Sequence, residues 1–461
     1  MPVRPAESLF AEQALMPDGW AHDVLIRYRP ADGRILSVRC DATPDGDHYA
    51  GIVVPGMPNL HSHAFQRVMA GRAERAGGMD DSFWTWRQTM YELVSRLDPD
   101  HIEAIAAQLY AELLCAGYTS VAEFHYLHNR PDGGRYDNPA ETALRLVRAA
   151  EAAGIGLTLL PVLYCRGGFN GEPLSPAQRR FRADPAFLAG VGDAVIGACS
   201  QSDGLRVGLA IHSLRAASAP DILDAAQTLV SRDPDAPVHI HVAEQVREVS
   251  ECFEWSGATP VEWLLGNAPV DETWCLVHAT NVTEAEVSGM ASRGAVVGLC
   301  PTTEANLGDG LFPLRPFLDH GGRFGIGSDS HVSVSPGEEL RWLEYGQRLV
   351  GRKRIVAAGE DSPSVGGTLW RSALAGGAQA LRLPVGAIRE DHRADILVLD
   401  HQHPRLEGRR GDDILDALVF TGNEGLIRRV LAGGNWVVED GRHIRAEAIA
   451  GAYLKAVREL Y

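Results

Sequence analysis

His61-Ser62-His63 ends the apolar run Gly51–Leu60. Alternate side chains of an extended chain share a face, so these two imidazoles can converge on one metal ion. Further on, His241, Glu244, His278 and Asp329 each stand at the end of another strand-like apolar run. Imidazoles and one carboxylate around a cation, with a position left open for water, form the donor pattern of a catalytic rather than a structural site. With an acid/base group beside it, that pattern is hydrolase chemistry. Zinc suits the donors best, and iron or manganese accept the same set.

Val238-His239-Ile240-His241 puts two histidines on one face. His241 is expected to be the ligand because Glu244, three residues on, could reach over a water on the cation. His239, deeper on that face, reads as a barrel-layer residue. Glu244 also fits an ordinary carboxylate at a helix N-terminus. A second ion usually needs a bridging group such as a carboxylated lysine on a mid-barrel strand. The run Leu205–His212 has no lysine, and Lys353 and Lys455 are the only two in the chain. One ion is therefore expected.

Residues so far apart need a scaffold that gathers them. Eight strand-like runs alternate with longer amphipathic ones: Gly51–Leu60, Ser120–Tyr126, Gly156–Tyr164, Leu205–His212, Val238–Ala243, Trp274–Ala279, Ala295–Cys300 and Arg323–Gly327. Helices are expected at Ile102–Ala116, with Asp98 and Asp100 near its start and Gly117 past its end, and at Glu141–Ala153 before Gly154. Eight βα units predict a (β/α)8 TIM barrel, whose C-terminal strand ends share one mouth. The flanks read differently. Asp23–Tyr28, Ala394–Leu399 and Arg428–Gly434 look like antiparallel strands between turns. They predict a small β-sandwich domain from both chain ends: residues 1–53 and 386–461 around a barrel at 54–385, with a last helix at Ala446–Leu460.

With 461 residues the chain has room for a large barrel and an appendage. A formal charge of −17 argues against nucleic acid, which demands a basic surface, and requires locally placed arginines if the substrate is an anion. The N-terminus lacks the basic and apolar regions of a signal peptide, and no apolar run is long enough to span a membrane. Seven scattered cysteines without a CxxC pair predict neither structural zinc nor a disulfide framework, and suggest a reducing cytoplasm.

His61-x-His63, His241-x-x-Glu244, His278 and Gly327-Ser328-Asp329 together resemble the amidohydrolase superfamily in its mononuclear deaminase branch, over nearly the whole chain. Leu60–Arg67, Trp84-Thr85-Trp86-Arg87, His239–Gln245 and Gly327–His331 are similar to enzymes of that branch that deiminate a linear amidine, N-formimidoyl-L-glutamate. The resemblance implies one zinc on His61, His63, His241 and Asp329, with Glu244, His278 and Asp329 as the proton-handling residues. It implies substrate contacts from Gln66, Arg87, Tyr126, His212 and Arg215, and a homodimer. A small-molecule dicarboxylate calls for planar guanidinium partners, which Arg87 and Arg215 could supply. Arg166, Arg179 and Arg182 could serve instead, and core packing would also explain Tyr126. The alternative substrate is a ring amidine such as guanine or an adenosine derivative.

Overall fold

The computed structural model describes residues 5–75, 83–199, 204–359, 362–422 and 425–461; the side chains of Phe83 and Trp84 lie outside that description. Eight barrel strands follow one another in the sheet in chain order: Met57–Ser62, Tyr118–His125, Gly156–Leu163, a broken fourth strand, Val238–Val242, Trp274–His278, Val296–Leu299 and Arg323–Ile326. Every pairing along this path is parallel. The fourth strand splits at Gly208 into Leu205–Val207 and Leu209–Ile211. A side chain at Gly208 would meet the Pro237 carbonyl at 2.5 Å, so the bare glycine permits the crossing.

The ring closes through a parallel bridge between Ser62 and Asp329. Asp329 N–H donates to the His61 carbonyl at 3.0 Å, and His63 N–H to the Asp329 carbonyl at 3.2 Å. Gly327 makes that approach possible, because a Cβ there would lie 2.7 Å from the His61 Cβ. The glycine before Ser328-Asp329 is thus a packing requirement for bringing the first and last strands together.

The expected helices form where their punctuation places them. Asp98 caps Pro99–Ala116 by accepting from His101 N–H, and Gly117 ends it at φ 105°. Glu141–Ala153 stops at Gly154, φ 84°. The last helix runs Ala446–Leu460.

Both flanks join one eight-stranded sheet. Its order is Arg442–His443, Asn435–Glu439, Ile427–Ala432, Ile396–Leu399, His48–Pro55, Glu7–Met16, Gly19–Arg29 and Arg34–Arg39. The seam between the two flanks is Ile396–Leu399 against His48–Pro55, antiparallel. Strand alternation divides its side chains between two cores: Ile52, Val54, Leu397 and Leu399 pack with the barrel, whereas Val53, Ile396 and Val398 pack with Leu9, Ile26 and Ile35 in a separate cluster.

One expected element is corrected. The run Gly51–Leu60 is not a single barrel strand: His48–Pro55 belongs to the flanking sheet, and the barrel strand is Met57–Ser62. The chain changes sheets at Gly56, whose N–H donates to the Asp395 carbonyl at 3.0 Å and whose missing side chain leaves room for Thr119.

Candidate active site

Parallel strand ends deliver the polar residues to one buried point. His61 Nε2 lies 2.9 Å from His241 Nε2 and 3.4 Å from Asp329 Oδ1; His63 Nε2 lies 3.5 Å from that same oxygen. The carbonyls of Phe124 and His212 face His63 Nδ1 and His241 Nδ1, each at 3.0 Å. A carbonyl only accepts, so both Nδ1 atoms carry the proton and both Nε2 lone pairs turn inward. Burial pushes His61 down to about 3 and lowers His63 and His241, leaving these rings neutral and able to ligate.

Asp329 behaves oppositely. Burial would raise its carboxyl, but the His61 ring against it and the charged His278 hold it well below the usual range. Inward lone pairs crowded against one carboxylate are unfavourable alone and favourable around a cation. His61, His63 and Asp329 offer ligand atoms within 4.8 Å of one another, as do His61, His241 and His278. The donor set fits a divalent metal of the zinc type.

Beside this cluster, His278 Nε2 is 3.8 Å from Glu244 Oε1 and 3.9 Å from Asp329 Oδ2. Burial alone would discharge His278, but Glu244, Glu304 and Asp329 outweigh it and push the ring up to about 10. Burial, with Glu248 nearby, pushes Glu244 up to about 7. Neighbouring groups whose pKa values are driven apart suit opposite proton-transfer roles. The backbone here is strained as well: Ala243, His278, Ala279, Asp329 and His331 all have positive φ, from 45° to 70°. Such conformations cost about 1–3 kcal/mol each and persist only where packing enforces them.

Gln66, Arg87, Tyr126, His212 and Arg215 all line the cavity over the cluster. Gln66 Nε2 donates to the Tyr126 hydroxyl at 3.1 Å, so that tyrosine is buried yet faces the cavity rather than only filling core. Arg166, Arg179 and Arg182 are not among its lining residues; Arg166 instead donates to the Leu214 carbonyl at 2.9 Å. Trp86 is a wall residue, while the Trp84 side chain lies outside the described residues. His239, deeper in the barrel, bonds the Ala380 carbonyl through Nε2 at 2.8 Å and belongs to none of the groups among the described residues that could hold a metal.

Four buried carboxylates here escape sequence reasoning. Glu304 Oε1 lies 3.3 Å from His278 Nδ1 and fixes that ring from behind. Glu123 accepts from the Ser62 hydroxyl at 2.6 Å, Ala64 N–H at 2.8 Å and the Tyr110 hydroxyl at 3.1 Å, bracing the His-x-His segment. Asp309, bonded to Gln245, is pushed up to about 9 by burial and by Glu244. Glu248 accepts from Glu244 N–H at 3.1 Å.

Glu123 carries a pH prediction. Burial pushes it up to about 7 from 4.5, against the lowering effect of its three donors. The folded protein therefore holds a proton that the unfolded chain releases. Its contribution is present below pH 4.5 and is lost as pH rises through about 7. One such proton changes stability by about 1.4 kcal/mol per pH unit inside that window. Glu123→Gln should flatten urea-unfolding stability over this interval, and an unchanged slope would place the titration elsewhere.

A closed parallel barrel with three inward imidazoles and an aspartate at its mouth defines a metal-dependent amidohydrolase. Residues 52–437 match the Amidohydrolase family, and the chain belongs to it. Residues 7–50 match "Formimidoylglutamate deiminase HutF, N-terminal domain". The chain is 54% identical over 455 residues to a formimidoylglutamate deiminase of Pseudomonas aeruginosa, covering 98% of this chain and 99% of that one. It is 27% identical to a 5-methylthioadenosine/S-adenosylhomocysteine deaminase of Natronomonas pharaonis, over 90% of this chain and 88% of that one. Among solved structures, an amidohydrolase from Brucella melitensis superposes with a TM-score of 0.92 at 45% identity, covering 98% and 99% of the two chains.

Proposed function

We propose that the protein hydrolyses N-formimidoyl-L-glutamate to N-formyl-L-glutamate and ammonia, a step of histidine degradation. The observation that carries this reading is the pairing of one cavity's contents: an amidohydrolase centre below, with Arg87 and Arg215 in its wall. The 54% relative over nearly the whole chain supports the same substrate.

His61, His63, His241 and Asp329 would hold one zinc ion. When bound, it supplies Lewis acidity that brings water ionisation to about pH 7. Arg87 and Arg215 bind the substrate carboxylates, and Gln66, Tyr126 and His212 orient the formimidoyl end. Asp329 accepts a proton as water oxygen bonds to the formimidoyl carbon. His278, held charged between Glu244, Glu304 and Asp329, stabilises the negative charge that develops there. Glu244 protonates the imino nitrogen as water adds. The proton held by Asp329 then passes to the same nitrogen as the C–N bond breaks. Ammonia leaves while the adduct's hydroxyl proton returns to Glu244 and the carbonyl of the formyl group forms.

The reading also takes the enzyme as a cytoplasmic homodimer. All seven cysteines are free thiols, as a reducing compartment requires, and no helix among the described residues is long and apolar enough to cross a membrane.

Ammonia release from purified, zinc-loaded protein tests the substrate. N-formimidoyl-L-glutamate should be turned over, and guanine and S-adenosylhomocysteine should not. Preference for either ring amidine would overturn the assignment. Arg87→Met should raise KM for the dicarboxylate by about 10- to 100-fold, the worth of a charge-assisted hydrogen bond, with metal content intact. An unchanged KM would move the anion clamp to another residue.

A further inference from the structure

Glu248 lies outside the proposed ligand and proton-transfer set, yet it touches two of the elements that matter. It sits in the first turn of the helix Val246–Ser256 and is fully buried. Its Oε2 accepts the backbone N–H of Glu244 at 3.1 Å and lies 3.6 Å from Arg215 Nη1. The other oxygen, Oε1, has no hydrogen-bond partner among the described residues.

First-turn acids often accept an upstream N–H merely to cap their own helix. Such caps ordinarily work at the surface, where water solvates the remaining lone pairs. Here solvent is excluded, and a buried carboxylate with an idle oxygen destabilises the fold unless a nearby charge compensates. Arg215 supplies that charge. Burial would lower its pKa, but Glu248 first and then Glu244 outweigh burial and keep the guanidinium charged. A cap alone has no need of an arginine that also lines the substrate cavity.

We infer that Glu248 is a positioning residue that fixes the Arg215 guanidinium and the Glu244 main chain with one carboxylate. Anion binding and proton delivery are then held at a set separation, and the substrate must span it. This rests on the reading above, in which Arg215 binds a substrate carboxylate and Glu244 serves the leaving nitrogen.

The test is a double-variant cycle on the zinc-loaded enzyme with N-formimidoyl-L-glutamate. Glu248→Gln keeps an oxygen for Glu244 N–H but removes the charge beside Arg215. It should raise KM about tenfold and lower kcat less than that, at parental zinc content. Glu248→Ala removes both contacts and should also lower kcat, by about 10- to 100-fold. In an Arg215→Met background, Glu248→Gln should raise KM no further, whereas Glu248→Ala should still lower kcat. Parental KM and kcat in both single variants overturn the inference, as do KM increases that multiply in the double variant. If Glu248→Ala does not fold, the glutamine variant alone decides. A parent enzyme that releases no ammonia gives a different result: it overturns the substrate reading, and the role of Arg215 with it.

Discussion

Glu244→Gln is expected to keep its metal content and lose nearly all turnover, by ~10²–10⁴, the usual worth of a positioned acid/base. Glutamine preserves volume and a hydrogen-bonding head, so the cavity need not collapse. It cannot exchange a proton near neutrality, whereas burial brings the native carboxyl to about 7. Glu244 holds no place among the inward Nε2 atoms, and its nearest partner there is His278 at 3.8 Å. Metal content should therefore stay at the parental level while kcat collapses. A glutamine variant with near-parental kcat would remove Glu244 from the reaction.

Asp329→Asn should fail differently, losing metal and activity together. The carboxylate sits 3.4 and 3.5 Å from two imidazoles, and its second oxygen is 3.9 Å from His278. An amide offers weaker donation and no charge to balance the cation. It also cannot take up the proton released by water. A loss toward the ~10⁴ end of the acid/base range is expected, with zinc stoichiometry reduced in the same preparation. Full zinc occupancy with parental rate would show that Asp329 neither ligates nor accepts a proton. The two variants thus separate holding the metal from moving the proton, which kinetics on the parent enzyme cannot do.

The cluster of His61, His63, His241, His278 and Asp329 is legible in the chain because each member stands at the C-terminal end of an apolar run. A parallel barrel gathers every such end into one mouth, so a linear pattern becomes a spatial one. The arginine choice is less legible: Arg166, Arg179 and Arg182 are as basic as Arg215, and only cavity geometry separates them. The supporting acids are hidden for a different reason. Glu248 and Glu304 lie in first turns of helices, where acidic residues are common for dipole reasons alone. Nothing local reveals that these two are buried. Glu123 is hidden similarly, as the single acid inside a buried strand, with its partner Ser62 far away in sequence. The run Gly51–Leu60 shows the limit of periodicity. Alternation identifies extended chain but does not count sheets, so the switch at Gly56 becomes visible only when Thr119 and Asp395 are seen beside it.

The Ser62–Asp329 bridge that shuts the barrel has a consequence for biosynthesis. Translation delivers His61 and His63 early and Asp329 only after all eight barrel strands have been made. The growing chain therefore lacks the carboxylate of its centre until late in synthesis, when His61, His63, His241 and His278 have already been made.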